Sequence, residues 1–139
     1  MAGSIVVSTS EVTNNVVLYS VAWTSDASGD VSGNTVTMQD GTIVLVTFTP
    51  GAGGVQPDNL YDVDLRDPNS VSVFDNGAGT SIGSNLSNVL SSNAIPLLGL
   101  STITVYRRWN PSGPFDLIVA NAGNSKSGTV NVYVYNGIL

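Results

Sequence analysis

Short apolar runs alternate along this chain with stretches of Gly, Ser, Asn and Asp, and no helical period persists for long. The strongest run is TIVLVTFT, Thr42 to Thr49, β-branched or aromatic almost throughout. Both of its alternating sets are apolar over the first half, which predicts a central core strand covered on two sides. Gly41 opens that run and Pro50-Gly51 closes it. In Val16 to Trp23, Val17, Tyr19, Val21 and Trp23 share one face by the two-residue period, and Leu18, Ser20 and Ala22 the other. Leu60 to Arg66 alternates more sharply: Tyr61, Val63 and Leu65 point one way and Asp62, Asp64 and Arg66 the other, the pattern of a half-exposed strand.

Further short strands are predicted at Ile5 to Val7, Thr35 to Met38, Val71 to Phe74, Thr102 to Arg108, Phe115 to Ala120 and Thr129 to Tyr135. Gln39-Asp40-Gly41 carries the Asp-Gly signal of a hairpin, which would pair the Val36 strand antiparallel with the central one. The turn-rich Asn121 to Gly128 predicts a second hairpin between the last two strands. Between residues 76 and 93, Ile82, Leu86, Val89 and Leu90 form a weak helical stripe that suits one helical turn or an ordered loop equally. Ala94 to Leu98 returns the chain to the core, with Pro96 placing it at an edge or off the sheet. About eight strands at short spacing give an all-β, single-domain antiparallel β-sandwich or jelly-roll-like barrel. Residues 1–15 form an N-terminal arm or edge strand and residues 16–139 the sandwich.

With 139 residues the chain has the length of one domain and one core. Only 10 % of residues are charged, and the net charge of −6 with a pI near 4.1 repels phosphate backbones, so no nucleic-acid partner is expected. Met1-Ala2-Gly3-Ser4 does not begin a secretory signal, and no window reaches the ~18 consecutive apolar residues of a membrane span. No membrane partner is expected either. Cysteine is absent, which removes disulfides and thiolate chemistry together.

The absence of His and Cys excludes Ser-His triads, cysteine nucleophiles and histidine-centred zinc sites within one chain. Lys126, the single lysine, falls in a turn-rich loop where its pKa would not be depressed. Asp62 and Asp64 stand at the spacing of a glycosidase pair, but any alternating strand with two acids gives that spacing, and a solvent face partly neutralised by Arg66 is the simpler reading. Asp26 and Asp30 offer hard oxygens to calcium without the alternating ligands and terminal Glu of an EF-hand, and read as turn formers. The glycines near Gly51 and Gly77 lack a following Gly-Lys-Ser/Thr and read as turns. No catalytic residue, cofactor or metal ligand is therefore assigned, and the chain is read as non-enzymatic. The candidate sites are protein interfaces. Tyr106, Arg107, Arg108 and Trp109 concentrate two of the three arginines beside two aromatics in an acidic chain, the composition of a binding hot spot. Ile5, Val6 and Val7 could lend a strand to a neighbour's sheet.

Three patches, VAWTSDASGD at 21–30, QPDNLYDVDLRDPNSVSVFDNGAG at 56–79 and VANAGNSKSGTVNVYVY at 119–135, resemble the small β-rich structural proteins that tailed bacteriophages encode among their head and tail genes. The likeness runs from Val16 onward and departs most at Ile95 to Asn110. It implies a virion component on the capsid surface, assembled in the host cytoplasm: a capsid decoration or cement protein that binds the major capsid protein or other virion proteins as a homo-oligomer, with a trimer as the working expectation. The alternatives are a head-tail joining protein and a carbohydrate-binding β-sandwich module in which Tyr106 or Trp109 stacks on sugar.

Overall fold

The computed structural model describes residues 2–75, 81–99, 106–108 and 113–137. Among these residues the strands are β1 (Ser4–Thr13), β2 (Val16–Thr24), β3 (Val31–Met38), β4 (Thr42–Pro50), β5 (Asp62–Arg66), β6 (Ser92–Ala94), β7 (Leu97–Gly99), β8 (Tyr106–Arg108), β9 (Gly113–Ala120) and β10 (Ser127–Tyr135), with a 3-10 turn at Gly53–Val55. A five-stranded antiparallel sheet runs β1-β2-β10-β4-β6, and a three-stranded one runs β3-β9-β5. The hairpin β7–β8 pairs apart from both. The two main sheets face one another across a single apolar cluster, so the chain is an open β-sandwich and not a closed barrel.

Alternation decides which side chains meet inside. Tyr19, Val21 and Trp23 from β2, Val130, Val132 and Val134 from β10, and Ile43, Val46 and Phe48 from β4 are all buried. Opposite them lie Val31, Val36 and Met38 from β3, Phe115, Leu117 and Val119 from β9, and Val63 and Leu65 from β5. Phe48 meets Phe74 edge to face with ring centroids 5.3 Å apart, and Trp23 meets Tyr61 at 5.6 Å. Such ring pairs contribute about 0.5–1.5 kcal/mol each beyond the area they bury.

Several sequence expectations change. The Asp40-Gly41 turn does not make a hairpin: β3 pairs with β9 in one sheet, and β4 pairs with β10 and β6 in the other. Nor do β9 and β10 pair; β9 lies between β3 and β5, while β10 lies between β2 and β4. Both connections cross from one sheet to the other, because each flanking strand has an apolar face that must be buried against the opposite layer. The second crossing is anchored. Buried Ala122 donates its N–H to Gly29 O at 3.0 Å and accepts from Asp58 N at 2.8 Å, and buried Ser25 donates Oγ–H to Gly123 O at 2.6 Å.

The central strand is β10, and β4 is covered on one face only. An extra residue at Val44 shifts the register between Tyr133 and Val134, so Ile43 and Val46 both point inward. That bulge is why both alternating sets look apolar. Val71 to Phe74 is not a strand; only Ser72 forms a bridge, to Arg66, although Val73 and Phe74 are buried. The stripe at 82–90 is an ordered loop without helix, in which Ile82 and Leu86 pack on the core and Val89 and Leu90 stay exposed. Of the two expectations for residues 1–15, arm or edge strand, the chain forms the edge strand, and it is longer than Ile5 to Val7: β1 runs for ten residues and forms the tight hairpin with β2, turning at Asn14-Asn15 with Asn15 at φ 67°. The expected strand at 102–108 is seen at Tyr106–Arg108, and its first half lies outside the described residues.

Gly128 tests the central packing. A Cβ there would stand 2.5 Å from Trp23 Cζ2 and 2.8 Å from Cε2, against a ring held by the core. Gly128→Ala is expected to cost about 1–3 kcal/mol in denaturant unfolding, while Gly54→Ala, with nothing within 4 Å, serves as a near-neutral control.

Candidate interaction surfaces

The two outer faces of the sandwich differ in charge. On the three-stranded sheet, Asp62, Asp64 and Arg66 project outward from β5, and Asp116 on β9 pairs in register with Arg66. The carboxylates of Asp62 and Asp64 are tied to neighbouring segments. Asp62 accepts from Asn85 N and from Asn121 Nδ2, both at 2.8 Å. Asp64 accepts from Ser72 Oγ at 2.5 Å, from Leu65 N at 2.9 Å and from Arg66 Nε at 2.8 Å. The two acids of the suggested glycosidase pair thus hold loops against β5, and Arg66 neutralises part of the face.

The outer face of the five-stranded sheet is read directly from its register. Cross-strand rows run Ser4–Thr24–Ser127, Val6–Ala22–Thr129–Thr49, Ser8–Ser20–Asn131–Thr47–Asn93 and Ser10–Leu18–Tyr133–Leu45. None of these residues is charged, in a chain with ten acidic and four basic residues. Hydroxyls and amides fill the middle, where Asn131 Nδ2 donates to Thr47 Oγ1 at 3.1 Å, with Val6 and Ala22 in the row on one side and Leu18, Tyr133 and Leu45 in the row on the other.

The sheet edges are equally unlike. β5 is capped by the following segment: Val73 N donates to Leu65 O, Val63 N to Gly83 O, Leu60 N to Leu86 O and Leu86 N to Tyr61 O, all between 2.7 and 3.0 Å. β6 is only three residues long. β3 is broken by a register shift between Val31 and Asn34, with Gly33 at φ 70°. Those are the usual protections of an edge. β1 is different: among the described residues it has β2 on one side and no strand on the other. Its protections, Glu11 and the shift between Glu11 and Thr13, both sit at its far end. Its near end is fixed, because Ser32 N donates to Ala2 O at 2.9 Å and Gly3, at φ 72°, packs where a Cβ would meet Asp30 O at 2.6 Å.

The predicted interface residues fall in two places. Ile5, Val6 and Val7 lie on β1. Ile5 pairs with Trp23 and packs partly on the core, Val6 is 70 % exposed on the outer face, and Val7 is 39 % exposed although its partner Val21 is buried. Tyr106, Arg107 and Arg108 form β8 opposite Leu97–Gly99, and Trp109 lies outside the described residues. What sequence reasoning missed is the uncharged outer face, whose signal was present in Leu18, Ser20 and Ala22 but needed strand order to become a surface.

Other candidate chemistry is accounted for locally. Asp26 Oδ1 accepts from Ser28 N at 2.8 Å and Asp30 N at 3.1 Å, closing its own loop. Those amides, chiefly that of Asp30, hold the Asp26 carboxyl below the usual carboxylate range. Lys126 Nζ donates to Gly54 O at 3.1 Å. Tyr61 is 1 % exposed, and burial pushes its phenol up to about 12. Among the described residues no three His, Cys, Asp or Glu side chains converge as metal ligands would. A depression of about 420 Å³ beside Gly3, Thr24, Asp26, Ser28 and Asn124 is lined by hydroxyls and amides with one acid, itself bonded to its loop. Comparison with protein-family models, curated proteins and solved structures finds no match for this chain.

The depressed Asp26 pKa carries a definite sign. A carboxylate whose folded pKa lies below its unfolded value stabilises the fold above about pH 3.9 and loses that contribution as the pH falls through the folded pKa. Asp26→Asn should therefore lower the melting temperature at pH 7, and the gap to the parent should close in strong acid. A gap that stays constant with pH would show that the charge plays no part.

Proposed function

We propose that this chain is a non-enzymatic structural protein of a tailed-bacteriophage particle, a capsid decoration or cement protein that docks on the assembled head through the outer face of its five-stranded sheet. The observation that carries the reading is the uncharged surface made by the cross-strand rows of β1, β2, β10 and β4. A face without charge pays little desolvation on contact, since the penalty falls chiefly on ionised groups. Its Ser, Thr and Asn side chains supply hydrogen bonds, and Leu18, Leu45 and Tyr133 supply apolar area beside them. The framework suits docking as well: a rigid sandwich has little ordering entropy left to oppose association.

In this reading the mechanism is mass action. A protein that binds only the assembled lattice stabilises it by RT ln(1 + [L]/Kd) at each site, and repeated copies multiply the effect. The acidic opposite sheet, with Asp62, Asp64 and Asp116, faces solvent and keeps the coated particle soluble through net charge. Tyr106, Arg107, Arg108 and Trp109 add a basic, aromatic contact to an acidic patch on the major capsid protein.

Cryo-electron microscopy of the particle that carries the chain is expected to show many copies spread over the shell with β10 toward it. A single ring at the neck would favour a joining role, and absence from the particle would end the proposal. In a pull-down on intact heads, Thr47→Lys with Asn131→Lys should weaken capture about tenfold or more, as expected for charges placed at a contact centre. Arg107→Ala with Arg108→Ala should weaken it without altering the fold, and Asp116→Lys should not weaken it.

A further inference from the structure

We propose that two copies of this chain join edge to edge through β1, pairing Ser4–Ser10 antiparallel about a two-fold axis at Val7 and extending the five-stranded sheet to ten strands. The proposal deepens the reading of the chain as an assembly component by naming its first partner, a second copy of itself.

Three observations carry it. First, among the described residues β1 is the long edge without local protection over Ser4 to Ser10. β5 is capped by the chain after it, β6 is three residues long and β3 is bulged, whereas Ser4 to Ser10 keeps an unbroken register with β2 and contains no proline and no charge. An unpaired strand of that kind presents a row of backbone donors and acceptors to another strand. Second, the apolar groups on this strand are placed for a partner. Val7 lies on the core side of the sheet, yet it remains 39 % exposed because the three-stranded sheet does not fully cover it. Two such valines meeting on the axis would cover each other, and Val6, 70 % exposed, would pack beside Ser8 of the other copy.

Third, charge selects the register. Glu11 is the single ionisable side chain of β1. Centring the pair on Val7 matches Ser4 with Ser10, Ile5 with Thr9 and Val6 with Ser8, and sets Glu11 opposite Gly3. The two Glu11 carboxylates are then eight residues apart along the strand, roughly 27 Å, well beyond the ~10 Å screening length at 0.1 M salt. Moving the centre toward the C-terminal end draws the two acids together. Pairing Val7 with Val7 also keeps both core-facing sets on the same side, so the two sandwiches lie side by side under one continuous sheet. At about 4.8 Å per strand that sheet is roughly 48 Å wide, and its outer face is the uncharged one. Because the same edge is used by both copies, the contact is isologous and closes at two, in place of the trimer taken as the working expectation.

The test uses the purified full chain without any particle, so its outcome is independent of shell docking. Sedimentation over a concentration series is expected to show a monomer–dimer equilibrium, shifted to monomer by Val7→Lys while far-ultraviolet circular dichroism stays unchanged. The chain has no native cysteine, so single replacements report the register directly. Directly opposed Cα atoms in an antiparallel pair lie about 4.5–5.5 Å apart, within disulfide reach. Under oxidised glutathione, Val7→Cys should convert to a covalent dimer at least tenfold faster than Val12→Cys. A single-chain mass at all concentrations up to roughly millimolar, a trimer, or equal cross-linking of the two variants would overturn the proposal.

Discussion

The molecule depends on the seam between two inward faces. Neither sheet can bury its apolar side alone: Trp23, Phe48 and Val132 would be bare without the other layer, and so would Leu65, Phe115 and Leu117. Everything else is arranged around that requirement. The chain crosses the seam after β2, β3, β4, β5 and β9, and buried loop residues such as Ser25 and Ala122 hold the β9–β10 crossing with hydrogen bonds to Gly123, Gly29 and Asp58. Close approach at the seam also fixes particular residues, as Gly128 does where the Trp23 ring lies over the central strand.

Sealing one side of each sheet leaves two outer faces and four edges to be reconciled with water. The three-stranded sheet meets solvent with acids, and it uses them: Asp62 and Asp64 bind the segments that cap β5. The five-stranded sheet meets solvent with hydroxyls, amides and a few apolar groups, and carries no charge there. Edges follow the same division. Among the described residues three are short, bulged or covered, and β1 is long, even and open over Ser4 to Ser10. An uncharged face continuous with an open edge is a coherent surface, because one backbone ladder can extend the other. That continuity connects the fold to its proposed role as a part of a larger assembly.

Local pattern determined a good deal by itself. Alternation placed Tyr61, Val63 and Leu65 inward and Asp62, Asp64 and Arg66 outward, and it placed Trp23 in line with Tyr19 and Val21; these assignments need only the two-residue period of a strand. The all-β sandwich follows from the same signal repeated. The absence of His and Cys by itself removes Ser-His triads, thiolate nucleophiles and disulfides within one chain.

Tertiary structure alone decided who pairs with whom. Asp40-Gly41 and Asn121 to Gly128 look like hairpin turns because turn chemistry is local, but whether two strands share a sheet depends on where their apolar faces find cover. The Val44 bulge was invisible for a related reason: a bulge moves the phase of alternation, and residues on both sides of it then read as a strand buried twice. The length of β1 was hidden by its Ser and Thr residues, which carry no burial signal and gain their strand conformation from pairing with β2. The uncharged face and the open edge are properties of strand order, and strand order is set by contacts between residues as far apart as Thr47 and Asn131, which no local window of sequence can contain.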